Sequence, residues 1–283
     1  MSKTIVITGC SSGFGRITTL HLAKQGWRVF ATVRKESDAA SLLVEAMAQN
    51  VKANVTPILC DVTNDVQVAE LGRTVAAATP TVEALVNNAG TAFPGPLEML
   101  PLDTLRQQLN LNVVAHLGVT QAVLPLLKAS RGTLINVSSQ GGRVVFPITG
   151  AYHMSKFALE AMSDALRLEL APFGVKVVVI QPGSSATAIW DTGKKHGEAA
   201  LGGLDMAGPY QPLVNTIMKQ AFEKQKGTGF HPQLFADTVL KILTHPNPAT
   251  RYPIPARAAW IMAWRALLPD KLWDGFVRRA LKW

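Results

Sequence analysis

The sequence predicts an α/β fold: a doubly wound parallel sheet in a single domain over residues 1–283, with a helical C-terminal extension. Three features predict it. Short β-branched runs without polar alternation recur, stretches of helical spacing separate them, and a glycine-rich turn joins the first run to the first helix. Strands buried on both faces read as continuous apolar runs, and repeated β-α units require right-handed crossovers and parallel pairing.

KTIVIT (Lys3 to Thr8) is the first strand; it runs into TGCSSGFG (Thr8 to Gly15) and then into the helical RITTLHLAKQGW. WRVFATVR (Trp27 to Arg34) is the second strand, and Ser37 to Gln49 the next helix. VTPILCDV (Val55 to Val62) is the third strand and ALVNNAG the fourth. A long helix is expected from Leu102 to Lys128, with Pro125 ending it early because proline removes an internal hydrogen bond. GTLINVSS (Gly132 to Ser139) and VKVVVIQPG give strands five and six. Ser155 to Leu170 lies between them, rich in Ala, Leu, Met and Glu without Gly or Pro, and reads as helix.

Composition agrees. The chain has 283 residues, is 48% hydrophobic and carries a net charge of +9, which suits one large α/β core. Its two cysteines, Cys10 and Cys60, offer no disulfide framework and are expected to be small buried hydrophobes. With no leader before the first strand and no apolar run of membrane-spanning length, the expected location is cytoplasmic. No His, Cys and carboxylate grouping has metal-ligand spacing, so no catalytic metal is expected.

Strand, glycine turn and helix together make the phosphate-binding start of a dinucleotide (Rossmann) fold. Gly9 would permit the tight turn; Gly13 and Gly15 would let a pyrophosphate approach the backbone and the helix pack on the strand. Asn87, Ser139 and Pro182 fall at carboxyl ends of strands, where ligands of such sheets bind. Tyr152 and Lys156 stand four residues apart, on one helical face. A phenol titrates near ~10, and the neighbouring ammonium is expected to lower that value. Taken alone, the pair is equally a surface lysine one turn from a buried tyrosine.

The order Thr8-Gly9-x3-Gly13-x-Gly15, Asn87 to Gly90 (NNAG), Ser139, Tyr152-x3-Lys156 and Pro182-Gly183 resembles the short-chain dehydrogenase/reductase family. CSSGFG and the long C-terminal extension are similar to its hydroxysteroid and retinol dehydrogenase members. The resemblance implies Tyr152 as acid/base, Lys156 holding the nicotinamide ribose, Ser139 hydrogen-bonding the substrate oxygen, and Asn112 supporting a water-linked proton path, with Asn110 a rival and Ser138 a competitor of Ser139. It also implies cofactor contacts at Gly9, Ser11, Ser12, Gly13, Phe14, Gly15, Arg34, Asp61, Val62, Asn88, Ala89, Gly90, Tyr152, Lys156, Pro182, Gly183 and Thr187. Asp61 would meet the adenine ring, or else cap the following helix. His153 is expected to be a surface or packing residue.

NADP(H) is expected over NAD(H). The second strand ends at Val33 followed by Arg34 and Lys35, where an NAD site carries a carboxylate; Arg34 could clamp a ribose phosphate, with Ser12 adding a hydroxyl. Val145, Phe146, Ser139 and Tyr152 would face substrate, and residues 187–228, with many glycines and lysines, would form a lid. The apolar walls suggest a bulky hydrophobic ketone or secondary alcohol, steroid- or retinoid-like. A non-catalytic dinucleotide sensor is the alternative, and a homodimer is expected.

Residues 251–283 hold four of six tryptophans and seven basic residues against two acidic, which is five of the nine net charges. Trp260, Trp264 and Leu267 share one helical stripe, and Leu272, Phe276 and either Leu281 or Ala280 another. Burial as a helical cap is the preferred reading, with peripheral contact to an anionic membrane as the second. No recognition motif accompanies the charge, so nucleic acid is not an expected partner.

Overall fold

The computed structural model describes residues 3–185, 208–217, 219 and 229–283. Its sheet has seven parallel strands: β1 (Thr4–Ile7), β2 (Arg28–Val33), β3 (Val55–Leu59), β4 (Ala84–Asn87), β5 (Thr133–Val137), β6 (Lys176–Pro182) and β7 (Arg251–Ile254). The order is β3-β2-β1-β4-β5-β6-β7. The chain winds outward from β1 in one direction and from β4 in the other. The crevice between them is the switch point at which open α/β sheets take ligands.

Alternation along each strand builds the two layers. Ile5 and Ile7 face α1 (Gly13–Lys24), α2 (Glu36–Ala48) and α7 (Gln233–Thr244), in a core with Leu22, Leu42, Phe235 and Val239. Val6, between them, faces the opposite layer of α3 (Asp65–Ala78), α5 (Ala115–Ser130) and α6 (Gly150–Leu170), with Leu71, Val119, Leu127 and Leu166. Burying each such side chain contributes about 1.5–3 kcal/mol. A third, smaller cluster joins Val144 and Ile148 to Trp273, Val277 and Leu281. It is built by α8 (Ala258–Leu267) and α9 (Asp270–Leu281) against the loop after β5 and the helical residues 211–217.

Several expectations change. Pro125 does not end its helix: α5 continues to Ser130. Both Pro125 and Gln121, whose carbonyl loses its partner, are exposed, so that carbonyl is open to solvent. The long helix is instead divided near its start. After α4 (Leu102–Leu109), one π turn spans Asn110–Val114 before α5 begins. By length and hydropathy, Leu102–Ser130 could cross a membrane, yet its buried Gln108, Asn112, His116 and Thr120 are hydrogen-bonded inside the protein.

The C-terminal extension is not wholly helical. RYPI enters the sheet as edge strand β7, where Pro253 is tolerated because one side has no partner strand. The stripe Trp260, Trp264 and Leu267 is exposed rather than buried, as are Leu272 and Phe276. The covered positions are Ala258 on α8 and Trp273, Val277 and Leu281 on α9. Four-residue spacing of Trp273, Val277 and Leu281 makes a straighter seam than the mixed stripe read from sequence.

Candidate active site

The glycine turn closes against β4. Gly9 has φ 71°, and a Cβ on it would stand 2.8 Å from the Ala89 Cα. A Cβ on Gly15 would collide with the Gly9 carbonyl and stand 2.7 Å from Asn88 Nδ2. Any side chain there would push α1 off the strand ends. Asn88 fastens the arrangement, its amide donating to the carbonyls of Thr8 (2.8 Å) and Gly9 (3.2 Å). Thr8 Oγ1 accepts the backbone N–H groups of Asn88 and Ala89. Ser12 is the N-cap of α1, but its hydroxyl makes no capping bond, so the N–H groups at this helix start are available to an anion. Ser11 and Gly13 complete the turn. Phe14 stacks on Phe235 at 4.4 Å between centroids and on Phe230 at 5.6 Å, so its side chain serves the core.

Arg34 and Lys35 are exposed at the carboxyl end of β2. Asp61 lies near Arg34. Burial works to raise its carboxyl, but two hydrogen bonds from Thr63 and the Arg34 guanidinium outweigh that and hold it below the usual range. It does not cap α3; Asn64 does, accepting from the N–H groups of Val66 and Gln67. Val62 is buried in the core.

The acid/base group assembles at the end of β5. The Tyr152 phenol is buried close enough to Ser139 for the serine to favour its anion. Ser139 Oγ also accepts from Gly141 N–H (3.0 Å) and donates toward the Pro182 carbonyl (3.3 Å). Gly183 N–H donates to the Ile254 carbonyl at 2.7 Å. Ser138 is buried without a side-chain partner, so Ser139 is the serine joined to the phenol. Helix α6 begins at Gly150 rather than Ser155 and so carries Tyr152 and Lys156 on one face. The Lys156 ammonium lies 5.8 Å from the Tyr152 ring centroid and donates to the Val137 carbonyl at 2.8 Å.

Burial pushes Lys156 down to about 8, against the pull of the Glu160 carboxylate, which favours the ammonium. The expected depression of the Tyr152 phenol is not found. Burial raises it, and the Ser139 hydrogen bond offsets only part of the rise. The reason is desolvation: a phenolate loses more by leaving water than the neighbouring groups return.

Asn112, in the π turn, is fully buried, whereas Asn110 is exposed. Its amide donates to the Thr91 carbonyl and to Ser155 Oγ, both at 3.0 Å, and its oxygen accepts Thr91 N–H. Gly90 must be small here, because a Cβ would stand 3.1 Å from that oxygen. His153 is buried, so of its two expected roles packing is the one observed. Its Nδ1–H donates to the Gly141 carbonyl, leaving Nε2 to accept from Phe146 N–H and Thr149. It thereby ties the loop after Ser139 to α6.

That loop turns Val144 into the apolar cluster and leaves Val145 half-exposed. Phe146 lies 6.3 Å from Trp273 between ring centroids. Thr187 and most of the lid expected over 187–228 lie outside the described residues.

Three residues escaped the sequence reading. Glu160 follows Lys156 by one turn, a spacing that could have flagged it, but its partners are remote. Its oxygens accept from Gln181 (2.9 Å) and from Arg251 on β7 (3.0 Å), which also pairs with Asp164. His116 is the third. Its Nε2–H donates to the Ala89 carbonyl at 2.6 Å, and Nδ1 is buried without a partner. Burial first, then the Lys156 charge, lowers it to about 3.

A match to the short chain dehydrogenase family covers residues 3–197. The chain belongs to this family. The uncharacterized oxidoreductase YusZ of Bacillus subtilis is 35% identical over 99% of this chain and 98% of its own length. The NADPH-dependent 3-dehydrocapnine reductase of Ornithobacterium rhinotracheale is 32% identical over 98% and 96%. Mouse retinol dehydrogenase 5 is 40% identical, but over 65% of this chain and 57% of its own, which supports kinship with the retinol dehydrogenase branch. A short-chain dehydrogenase structure from Streptomyces avermitilis superposes with a TM-score of 0.79 at 26% identity, over 98% and 96% of the two chains.

Proposed function

We propose that this short-chain dehydrogenase is an NADP(H)-dependent reductase of a bulky hydrophobic ketone, with the matching secondary alcohol as the reverse substrate. The carrying observation is the buried Tyr152 phenol, with Ser139 favouring its anion and the Lys156 ammonium 5.8 Å from its ring centroid. A bound nicotinamide would supply or accept the hydride. Tyr152 would donate its proton to the carbonyl oxygen as negative charge develops there, Ser139 would hold that oxygen, and Lys156 would favour the transient phenolate. A phenol held above its ordinary value stays protonated at neutral pH, which suits a proton donor and hence reduction.

Arg34 at the end of β2, and the missing carboxylate before it, support a cofactor carrying a 2′-phosphate. The cluster of Val144, Ile148, Phe146 and Trp273 supports an apolar substrate. A relative that aligns along the C-terminal part as well is named an NADPH-dependent 3-dehydrocapnine reductase, which favours NADPH-driven reduction, beside the steroid- or retinoid-like class of substrate. On this reading Asn112 positions a proton path to Lys156. The protein works in the cytoplasm or at the periphery of a membrane, as a homodimer through the exposed Val114 and Phe157.

The test is oxidation of NADPH and NADH, at matched concentrations, with a panel of hydrophobic ketones. Tyr152→Phe should lower turnover by about a thousandfold or more while leaving the fold and NADPH binding unchanged. Equal turnover in the two proteins would defeat the catalytic role of Tyr152, and no turnover in either would leave a dinucleotide-binding sensor.

A further inference from the structure

We propose that the outer faces of α8 and α9 form a docking surface for an anionic lipid bilayer. The inference stands on the surface and not on the catalytic reading. Trp260, Trp264 and Leu267 recur along one side of α8 with 72%, 58% and 80% of their surface exposed. Leu272 and Phe276 continue the exposed apolar series on α9, and Trp283 closes it. The opposite sides of the same helices are already occupied: Ala258, Trp273, Val277 and Leu281 are buried, with Ile261, Met262 and Leu268 packed on the same cluster. Of the outward side chains, Phe276 also leans on Trp273 and Trp283 stacks on Tyr210, whereas Trp260, Trp264 and Leu267 belong to none of the described hydrophobic clusters. A contiguous exposed patch of this kind marks an interaction surface.

Charge decides the partner. Lys271, Arg278, Arg279 and Lys282 are exposed on α9 and at its end. The acidic residues there are Asp270, which is paired with Arg265 at 2.6 Å, and Asp274. Tryptophan, phenylalanine and leucine beside lysine and arginine match an interface of acyl chains beneath anionic headgroups. A second copy of this chain would bring like charge against like charge. The inner faces of these helices line the apolar cluster that includes Phe146, so a molecule leaving the bilayer would meet the wall of the candidate substrate site.

The test uses the full chain with vesicles of phosphatidylcholine, with and without one third phosphatidylglycerol. Flotation and the blue shift of tryptophan emission report binding. Wild type should bind the anionic vesicles about tenfold more tightly than neutral ones and lose that preference in high salt. Trp260→Ser/Trp264→Ser/Leu267→Ser should lose binding to both, with an unchanged circular dichroism spectrum. Lys271→Glu/Arg279→Glu, which keeps the apolar stripe, should lose only the anionic preference. Absence of wild-type binding, or equal binding by the triple variant, would overturn the proposal. So would a wild-type dimer that the triple variant abolishes without any vesicle binding.

Discussion

Lys156 takes its working charge from residues the family pattern does not name. Its ammonium is buried, which favours losing the proton, and Glu160 one turn along holds that proton on. Tyr152 faces it from the same helix, Val137 accepts its hydrogen bond and His116 lies within its field. Glu160 in turn is oriented by Gln181 and Arg251. The ammonium is present below about 8 and lost above it, so activity that depends on it falls as pH rises through that value.

Glu160→Gln removes the carboxylate that favours the charged form. The alkaline limb of kcat/KM should move to lower pH, with about a twofold loss at pH 8 and less at pH 6.5. Arg251 would keep Asp164 as its partner but lose the charge of Glu160, at a cost of about 1 kcal/mol of stability. A pH profile superposable on wild type would reduce Glu160 to a structural anchor. Tyr152, Lys156 and Ser139 were legible because chain spacing places them. Glu160 was half legible: its helix neighbour is local, but Arg251 lies on a strand 91 residues away.

At the scale of elements, strands β1 to β6 and helices α1, α2, α5 and α6 followed from apolar runs and helical spacing, whereas α3 and α7 were not singled out. β7 did not. Four residues including a proline carry little strand signal, and only the open edge of β6 makes them one. The C-terminal helices were located correctly, but their buried faces were not, because aromatic size outweighed position in the reading. Trp273 is the residue that fixes α9, packing near Phe146 and Phe276 with Arg265 5.8 Å from its ring centroid. Trp273→Ala should cost about 3 kcal/mol locally and raise KM for a hydrophobic ketone about tenfold, leaving KM for NADPH unchanged. An unaltered ketone KM would separate α9 from the substrate wall.

The whole molecule has an acid weakness built into its central layer. His116 is neutral in the fold, with a pKa of about 3 against an ordinary 6.5. Between those values the unfolded chain takes up a proton that the native state refuses, so stability falls as pH drops below about 6.5. From pH 7 to pH 5 the loss from this one group is about 2 kcal/mol. Urea unfolding at the two pH values measures it, and His116→Asn should flatten the difference. Sequence alone gave no hint of this, because His116 sits on a helix whose inward face is set by its packing against β4 and the carbonyl of Ala89.

The π turn at Asn110–Val114 bears on all of this. Inward positions Gln108, Asn112, His116 and Thr120 recur every four residues, a step that overshoots a full α-helical turn by about 40° each time. The wider turn returns part of that overshoot. Excising one residue between Asn110 and Val114 would leave an unbroken α-helix in which one of those four-residue steps becomes three. The carboxamide of Asn112 and the imidazole of His116 would still share a side of the helix, but at a changed angle and rise, so one lost codon would retune the cleft they both reach.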